Sequence, residues 1–405
     1  MWMKLFHEIK PFYQNYIIKR KIPDDMKIIF VGDYHSNIHC FIKHLDEWKK
    51  NRILGEDYIV EKNYMIVITG DLLDRGPYSI ELLYLLILII LVNDEGKIVI
   101  IKGNHEKQPI YQKYGFEDEL NNQLNVNNRD KLKVLVRYLP DALFITTNNS
   151  YLSSKKKWYM FCHGGITNGM AQVDNKDLEI KGILEKEMKN NFEMFSINES
   201  ESHDLRWSDF TASKKMKKES NRGTIFPISI LTQVLDDHNI ISIISGHQDK
   251  TPFAFLPKSV KSIENMNPLI SQDVPGYFEE SAIYPNIKKD LSYDDNNELL
   301  FNINNNIYAG KYIYDMTKVA CFILSAAVVN KFDTIENMKA SLYPEYPIPY
   351  GILNLKENTA VIHLINTNFN NDQINTFQFD ELSDGLKNLV PFFKYYQQMK
   401  KIRPI

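Results

Sequence analysis

The chain has 405 residues, enough for one large domain with insertions or for two ordinary ones, and its apolar fraction of 44% is that of a globular protein. Acidic and basic residues nearly cancel, leaving a formal net charge of −3, so no global field points to nucleic acid or an anionic membrane and any anion site must be local. Three widely spaced cysteines, Cys40, Cys162 and Cys321, fit neither a disulfide framework nor a paired-cysteine metal clip, and suggest a reducing compartment.

The opening MWMKLFHEIKPFYQ carries His, Glu, Lys and Pro where a signal peptide needs its apolar core, and residues 1–25 are read as an N-terminal extension. KIIFVGDYH (27–35) is then the first of five apolar, β-branched-rich runs that end in glycine or a polar residue of ligand type. The others are YMIVITGD (64–71), KIVIIKGNHE (97–106), WYMFCHGG (158–165) and IISIISGHQ (240–248). Runs of this length are what strands buried on both faces look like.

Helical patterns lie between them. In SNIHCFIKHLDEWKKN, Ile38, Phe41, Ile42, Leu45 and Trp48 recur at helical spacing behind a Ser36 or Asn37 cap. In YSIELLYLLILIILVND apolar residues fall on every face; Leu82 to Val92 is too short to span a bilayer and predicts a buried helix, with no transmembrane segment. Asparagine-rich NNQLNVNN (121–128), DDNNELLFNINNN (294–306) and NTNFNNDQIN (366–375) read as loops or insertions. Residues 255–310 are expected to be an insertion, VACFILSAAVV and TAVIHLI to complete a second sheet, and 367–405 to form a polar linker and helical tail, its helix within 381–401 interrupted at Pro391. The catalytic domain is placed at 26–366.

Strands alternating with helices predict an α/β core, in which ligands gather beyond the carboxyl ends of the strands. The five endings would then pool Asp33, His35, Asp71, Asn104, His163 and His247: two carboxylates, one amide oxygen and three imidazoles. That mixed nitrogen and oxygen set suits manganese, iron or zinc better than calcium or a soft thiolate metal. It suffices for two ions if one carboxylate bridges them, the recurring design for phosphate ester hydrolysis. Asp33 alone would read as a turn former or cap, Asn104 as a turn residue, His105 as a structural histidine, Arg75 as a surface ion pair and Arg222 as part of a solvated basic loop. Their joint placement at strand ends weighs against the first four of these readings.

GDYH, GDLLDRG, GNHE and HGG, in that order, resemble the signature motifs of the phosphoprotein phosphatase branch of the calcineurin-like metallophosphoesterases. LRWSDF (205–210), NRGTIF (221–226) and SGHQ (245–248) are similar to that family's WSDP, RG and AHQ segments. The similarity covers roughly 26–255 and resumes near 319–327 and 351–365, and the motifs in register make it specific. The resemblance implies a fold of two central mixed β-sheets flanked by helices, with a dinuclear site at the strand ends. It places Asp33 and His35 on one metal, Asp71 bridging, and Asn104, His163 and His247 on the other, manganese being the first expectation and iron or zinc the alternatives. A water or hydroxide between the ions would attack phosphorus, Arg75 and Arg222, with Asn104, would hold the phosphate, His105 would act as general acid, and Asp74 would orient it.

Three departures bear on specificity. Ser36-Asn37 stand where the family's GDxHG has glycine, Phe210 replaces the proline after WSD, and Ser325-Ala326-Ala327-Val328-Val329 replaces the SAPNY loop with loss of its tyrosine. Together with the Asn, Ile and Lys-rich composition they resemble bacterial secreted-effector or viral members, so the expected compartment is the cytoplasm or, for an effector, a host cytosol. The expected function is hydrolysis of phosphoserine, phosphothreonine or phosphotyrosine in a phosphoprotein. The alternatives are a diadenosine-tetraphosphatase-like hydrolase and an inactive phosphate-binding interaction protein. Nucleic acid is not an expected substrate, since no basic track is evident.

Overall fold

Alternation along the buried strands builds the architecture. β2 (Lys27–Val31) turns Ile28 and Phe30 into one apolar cluster and Ile29 and Val31 into another, and β3 (Tyr64–Ile68) divides Met65 and Val67 from Ile66 and Ile68 in the same way. β6 (Trp158–Cys162) shares the first of those clusters through Tyr159 and Phe161 but sends Trp158, Met160 and Cys162 to a third. A strand with period-2 side chains that is apolar at every position must have a layer on each side. The result is two sheets face to face with helices outside both.

The structure, a computed structural model, describes residues 14–124, 126–148, 158–172, 179–211, 216–218, 223–247, 253–258, 291–293, 299–301, 310–326 and 348–365. One sheet runs in the order β15 (Gly310–Asp315), β18 (Thr359–Ile365), β17 (Ile348–Asn354), β2, β3, β4 (Ile98–Ile100). The other runs β12 (Phe253–Pro257), β16 (Val319–Leu324), β11 (Ile240–Ser245), β6, β5 (Ala142–Thr147), β1 (Tyr16–Ile22), β7 (Phe192–Ser196). β8 (Asp209–Thr211), β9 (Lys217–Lys218) and β10 (Thr224–Pro227) make a small separate sheet, and β13 (Leu291–Tyr293) pairs with β14 (Leu299–Phe301). β2, β3 and β4 are parallel, as are β6, β11 and β16, so each sheet carries a parallel group among antiparallel neighbours. Between the sheets Phe30 meets Phe161 and Phe322 at ring-centroid distances of 6.5 and 6.4 Å. Glycine is required at Gly351, where an added Cβ would stand 2.0 Å from the Phe30 ring.

α1 (Ile38–Lys50) and α2 (Ser79–Val92) cover the outer face of the first sheet. Asn37 caps α1, its Oδ1 accepting the Cys40 N–H at 3.1 Å, and Lys49 and Lys50 lie at the carboxyl end, where the helix dipole favours cations. α2 buries residues on all faces, as its unbroken apolar run predicts. α3 (Ile110–Tyr114), α4 (Phe116–Gln123) and α5 (Val126–Arg137) follow, and α6 (Glu179–Glu185), α7 (Glu199–Trp207) and α8 (Ile228–Asp237) pack on the second sheet. Among the described residues no helix is long and apolar enough to cross a membrane.

Four expectations need correction. Residues 16–22, read as part of an extension, form β1 between β5 and β7; KRK within YIIKRKI hides the strand, although Lys19 is fully buried with its ammonium donating to the carbonyls of Ile183 and Lys186 at 2.8 and 2.7 Å. The runs at 319–324 and 359–365 do not complete one sheet. β16 joins β11, whereas β17 and β18 form a hairpin, and the pairing of β17 with β2 commits that hairpin to the other sheet. NNQLNVNN spans the end of α4 and the start of α5, because Phe116 and Leu120 bury against the core and three acids, Glu117, Asp118 and Glu119, favour the amino end of α4. Phe255 lies in β12, inside the sheet, so only the residues beyond Lys258 can belong to an insertion. Most of 259–309, and all of 366–405, lie outside the described residues.

Candidate active site

The five strand endings converge at the carboxyl ends of strands from both sheets. From the first sheet come the loops after β2, β3 and β4, and from the second those after β6 and β11. The loops after β2 and β3 are laced together: the N–H groups of Asp33, His35 and Ser36 donate to the carbonyls of Gly70, Asp71 and Leu72 at 3.1, 2.8 and 2.7 Å. On the other side Gly246 N–H donates to the His163 carbonyl at 2.9 Å. Asp33, His35, Ser36, Asp71, Asp74, Arg75 and His247 all take positive φ, between 44° and 70°. Such non-glycine conformations cost about 1 to 3 kcal/mol each and persist where the surroundings over-determine them.

Asp71 lies at the centre. Its Oδ2 is 3.2 Å from His163 Nε2, 3.6 Å from His35 Nε2 and 4.0 Å from His105 Nε2, and its Oδ1 accepts the His105 backbone N–H at 3.0 Å. Burial opposes a charge on Asp71, but His163, His105 and His35 outweigh it and hold the carboxyl well below its usual range. Burial likewise pulls the His163 imidazole down, and the charge and hydrogen bond of Asp71, with Asp33 and Glu106, carry it up instead to about 9.

Do these residues fit the divalent ions expected of them? His163 Nδ1 meets the Thr69 carbonyl at 2.9 Å and His35 Nδ1 meets the Leu73 carbonyl at 3.1 Å. A carbonyl only accepts, so each Nδ1 carries the proton, and in the neutral ring Nε2 faces Asp71 with a lone pair, the arrangement of a metal-ligating histidine. Asn104 turns Oδ1 to within 3.0 Å of His163 Nε2, whereas the opposite amide orientation would let its nitrogen donate to that atom and to both Asp71 oxygens. An amide oxygen among acceptors is what a cation between them would select. Ligand atoms of Asp71, His163 and His247 lie within 4.8 Å of one another, as do those of His35, Asp71 and His105. The donor set fits two ions sharing Asp71.

Asp33 is fully buried with Oδ1 3.5 Å from His163 Nδ1, and the second three-residue group contains His105 and not Asp33. His105 Nδ1 is 2.7 Å from Asp74 Oδ2, and Arg75 Nη2 is 3.3 Å from His105 Nε2. Arg222 lies outside the described residues, as do Ala327, Val328 and Val329. Ala326 is described, and its N–H donates to the Gly32 carbonyl at 2.8 Å, which ties the end of β16 to the first loop.

The structure adds residues to which sequence reading gave no role. Glu106, fully enclosed, accepts the N–H groups of Asp71 and Gly103 on Oε2 at 2.9 and 2.7 Å and that of Leu72 on Oε1 at 2.8 Å. Burial first, and then the nearby charge of Asp71, push its carboxyl up to about 7. Gly103 permits this approach, since a Cβ there would sit 2.2 Å from Asp71 Oδ1. Asp209, in the WSD motif, brings Oδ1 to 3.7 Å from His247 Nε2. Farther back, Asp141 gathers Lys102, Arg206 and Ser202 around one oxygen at 3.5, 3.3 and 2.7 Å, all four side chains buried. A run of motif residues shows where chemistry is, but not which buried acid will be spent on backbone amides.

The sequence profile described as calcineurin-like phosphoesterase matches residues 26–250, more than half of the chain. The protein belongs to the calcineurin-like phosphoesterases. That family uses divalent metal ions, in keeping with the ligand groups above. Over 232 residues the chain is 28% identical to the PP2A-like serine/threonine-protein phosphatase PPG1 of Candida albicans, covering 55% of this chain and 46% of that protein. Over 226 residues it is 27% identical to the serine/threonine-protein phosphatase 4 catalytic subunit of Saccharomyces cerevisiae, covering 55% and 63%. The chain thus spans about half to two thirds of the length of these curated relatives. Its fold is similar to that of a protein serine/threonine phosphatase from Saccharomyces cerevisiae described as similar to human phosphatase PP5, with a TM-score of 0.52, 16% identity and 92% and 88% of the two chains covered.

Proposed function

We propose that this calcineurin-like phosphoesterase hydrolyses phosphomonoesters on proteins. The observation that carries the reading is His105, set between Asp74 at 2.7 Å and Arg75 at 3.3 Å beside the shared carboxylate of Asp71. The curated relatives, named as serine/threonine phosphatases, point the same way.

Asp33, His35, Asp71, Asn104, His163 and His247 would hold two divalent ions, manganese first among the candidates, which when bound polarise the phosphoryl group and lower the pKa of water. The chain's own groups do the rest. Arg75 presents a permanently charged planar fork to phosphate oxygens. Asp74 can only accept from His105 Nδ1, which turns Nε2 toward the site; there Nε2 accepts from Arg75 Nη2 at 3.3 Å, and it would carry a proton to the leaving oxygen once Arg75 turns to the phosphate.

The test is phosphate release from matched phosphoserine, phosphothreonine and phosphotyrosine peptides, with diadenosine tetraphosphate alongside, in manganese and in EDTA. Manganese-dependent release from peptides is the expected result, and their ratio gives the residue preference. Turnover of the dinucleotide alone would overturn the reading.

A further inference from the structure

Ser36 replaces the glycine that the first motif would carry, and it does so at a φ of 63°, where an L side chain is disfavoured. A residue kept against its backbone preference invites the question of what its side chain does. Ser36 is fully buried, and its Oγ lies 3.2 Å from the carbonyl oxygen of Asp74 and 2.5 Å from Ser79 Oγ. Ser79 opens α2, and its N–H donates to Glu119 Oε2 at 3.2 Å while Ile80 N–H donates to Glu119 Oε1 at 2.9 Å. Glu119 lies on α4, whose first residue, Phe116, donates its N–H to Asp74 Oδ1 at 2.9 Å.

The bonds close on themselves. From Ser36 they run through Ser79, Glu119 and Phe116 to Asp74, and from the Asp74 carbonyl back to Ser36. Asp74 is thereby held at both ends, its main chain by Ser36 and one carboxylate oxygen by α4, with the other oxygen left for His105. Asp74 itself has a φ of 70°, so it too needs outside restraint.

From this geometry we infer that Ser36 is a positioning residue for the Asp74–His105 pair, using a side chain where the motif would carry glycine. The inference rests on the phosphatase reading, and it makes a statement about one step. The hydroxyl acts on delivery of the proton to the leaving oxygen, not on metal binding or on phosphate binding. Loss of Ser36 Oγ lets Asp74 drift, and proton transfer tolerates little drift.

Ser36→Gly is the informative variant, because glycine takes φ near 60° without strain and the fold keeps its stability. Ser79→Ala breaks the same ring from the other side. Both should lower kcat on a phosphoserine peptide about tenfold with KM unchanged, while p-nitrophenyl phosphate, whose phenolate leaves without a proton, changes by less than about twofold. Manganese content should equal that of the wild type in each. Equal losses on the two substrates, or no loss on the peptide, would overturn the role of Ser36 while wild-type turnover keeps the phosphatase reading intact. A wild-type protein that turns over neither substrate would remove that reading and the role of Ser36 with it.

Discussion

Glu106 holds Asp71 by its backbone, not by its side chain: Oε2 accepts the Asp71 N–H at 2.9 Å, and the carboxylate spans from there to Leu72 and Gly103. The loop that presents the shared carboxylate and the loop that presents Asn104 are thus fastened to one carboxyl group.

Glu106→Gln should therefore weaken the metal site without touching a ligand. The amide must turn one N–H toward a backbone N–H, and the loss expected for such an outer partner is about 10- to 100-fold in manganese affinity. Calorimetric titration of the purified variant with manganese would measure it, and unchanged affinity would refute the clamp.

His105→Asn should lower turnover of a phosphoserine peptide by about 100- to 10,000-fold, the range of general acid catalysis, with both ions retained. Metal analysis beside single-turnover kinetics separates the two effects. Asp71→Asn, in contrast, should lose turnover and metal together, since Asp71 belongs to both groups of candidate ligands.

Removing metal should lower stability as well as activity. Ions that bind only the folded chain stabilise it by about 2.7 kcal/mol at a hundred times their dissociation constant. The melting temperature should rise with manganese and fall in EDTA, and a flat response would argue against the dinuclear reading.

Acid sensitivity has a source outside the ligand set. His44 is fully buried, with Tyr34 Oη 2.7 Å from its Nδ1, and burial pushes its imidazole down to about 3. The unfolded chain binds this proton near pH 6.5 and the folded one does not, so stability falls as pH drops from about 6.5 towards 3, by up to about 1.4 kcal/mol per unit for this one group. His44→Gln keeps an acceptor for Tyr34 and does not titrate. Denaturant unfolding between pH 7 and 5 should be flatter for the variant than for the wild type.

Asp141→Asn should be severe, because it leaves Lys102 and Arg206 buried without their shared counter-ion. Breaking such a pair costs about 3 to 5 kcal/mol, readable as a shifted urea midpoint.

The buried strands were legible because apolar runs such as KIIFV and YMIVI have no solvent face, and the converging endings because each run stops at a glycine or a ligand-type residue. What stayed hidden was long-range. β1 carries Lys19, Arg20 and Lys21, and the carbonyls of Ile183 and Lys186 together with the Trp158 and Phe195 rings make the buried Lys19 tolerable in a strand. The division of β16 and β18 between sheets depends on which strand claims the β17 hairpin, a pairing choice with no local signal. Glu106, Asp141 and Ser36 act through backbone groups or through side chains distant in sequence, which a motif does not display.

The division of the site between two sheets makes it a gauge of their spacing. Asp33, His35, Asp71 and Asn104 ride on one sheet, His163 and His247 on the other, and what sets the gap is the aromatic filling around Phe30, Phe161 and Phe322. Neither half alone can hold a pair of ions. During folding, an ion held by Asp71, His163 and His247 would have to wait until chain segments far apart in sequence have docked, a late, non-local event. The ions would then act as a latch that closes last, and a change of filling deep in the sandwich would be felt at the metals as a change of distance.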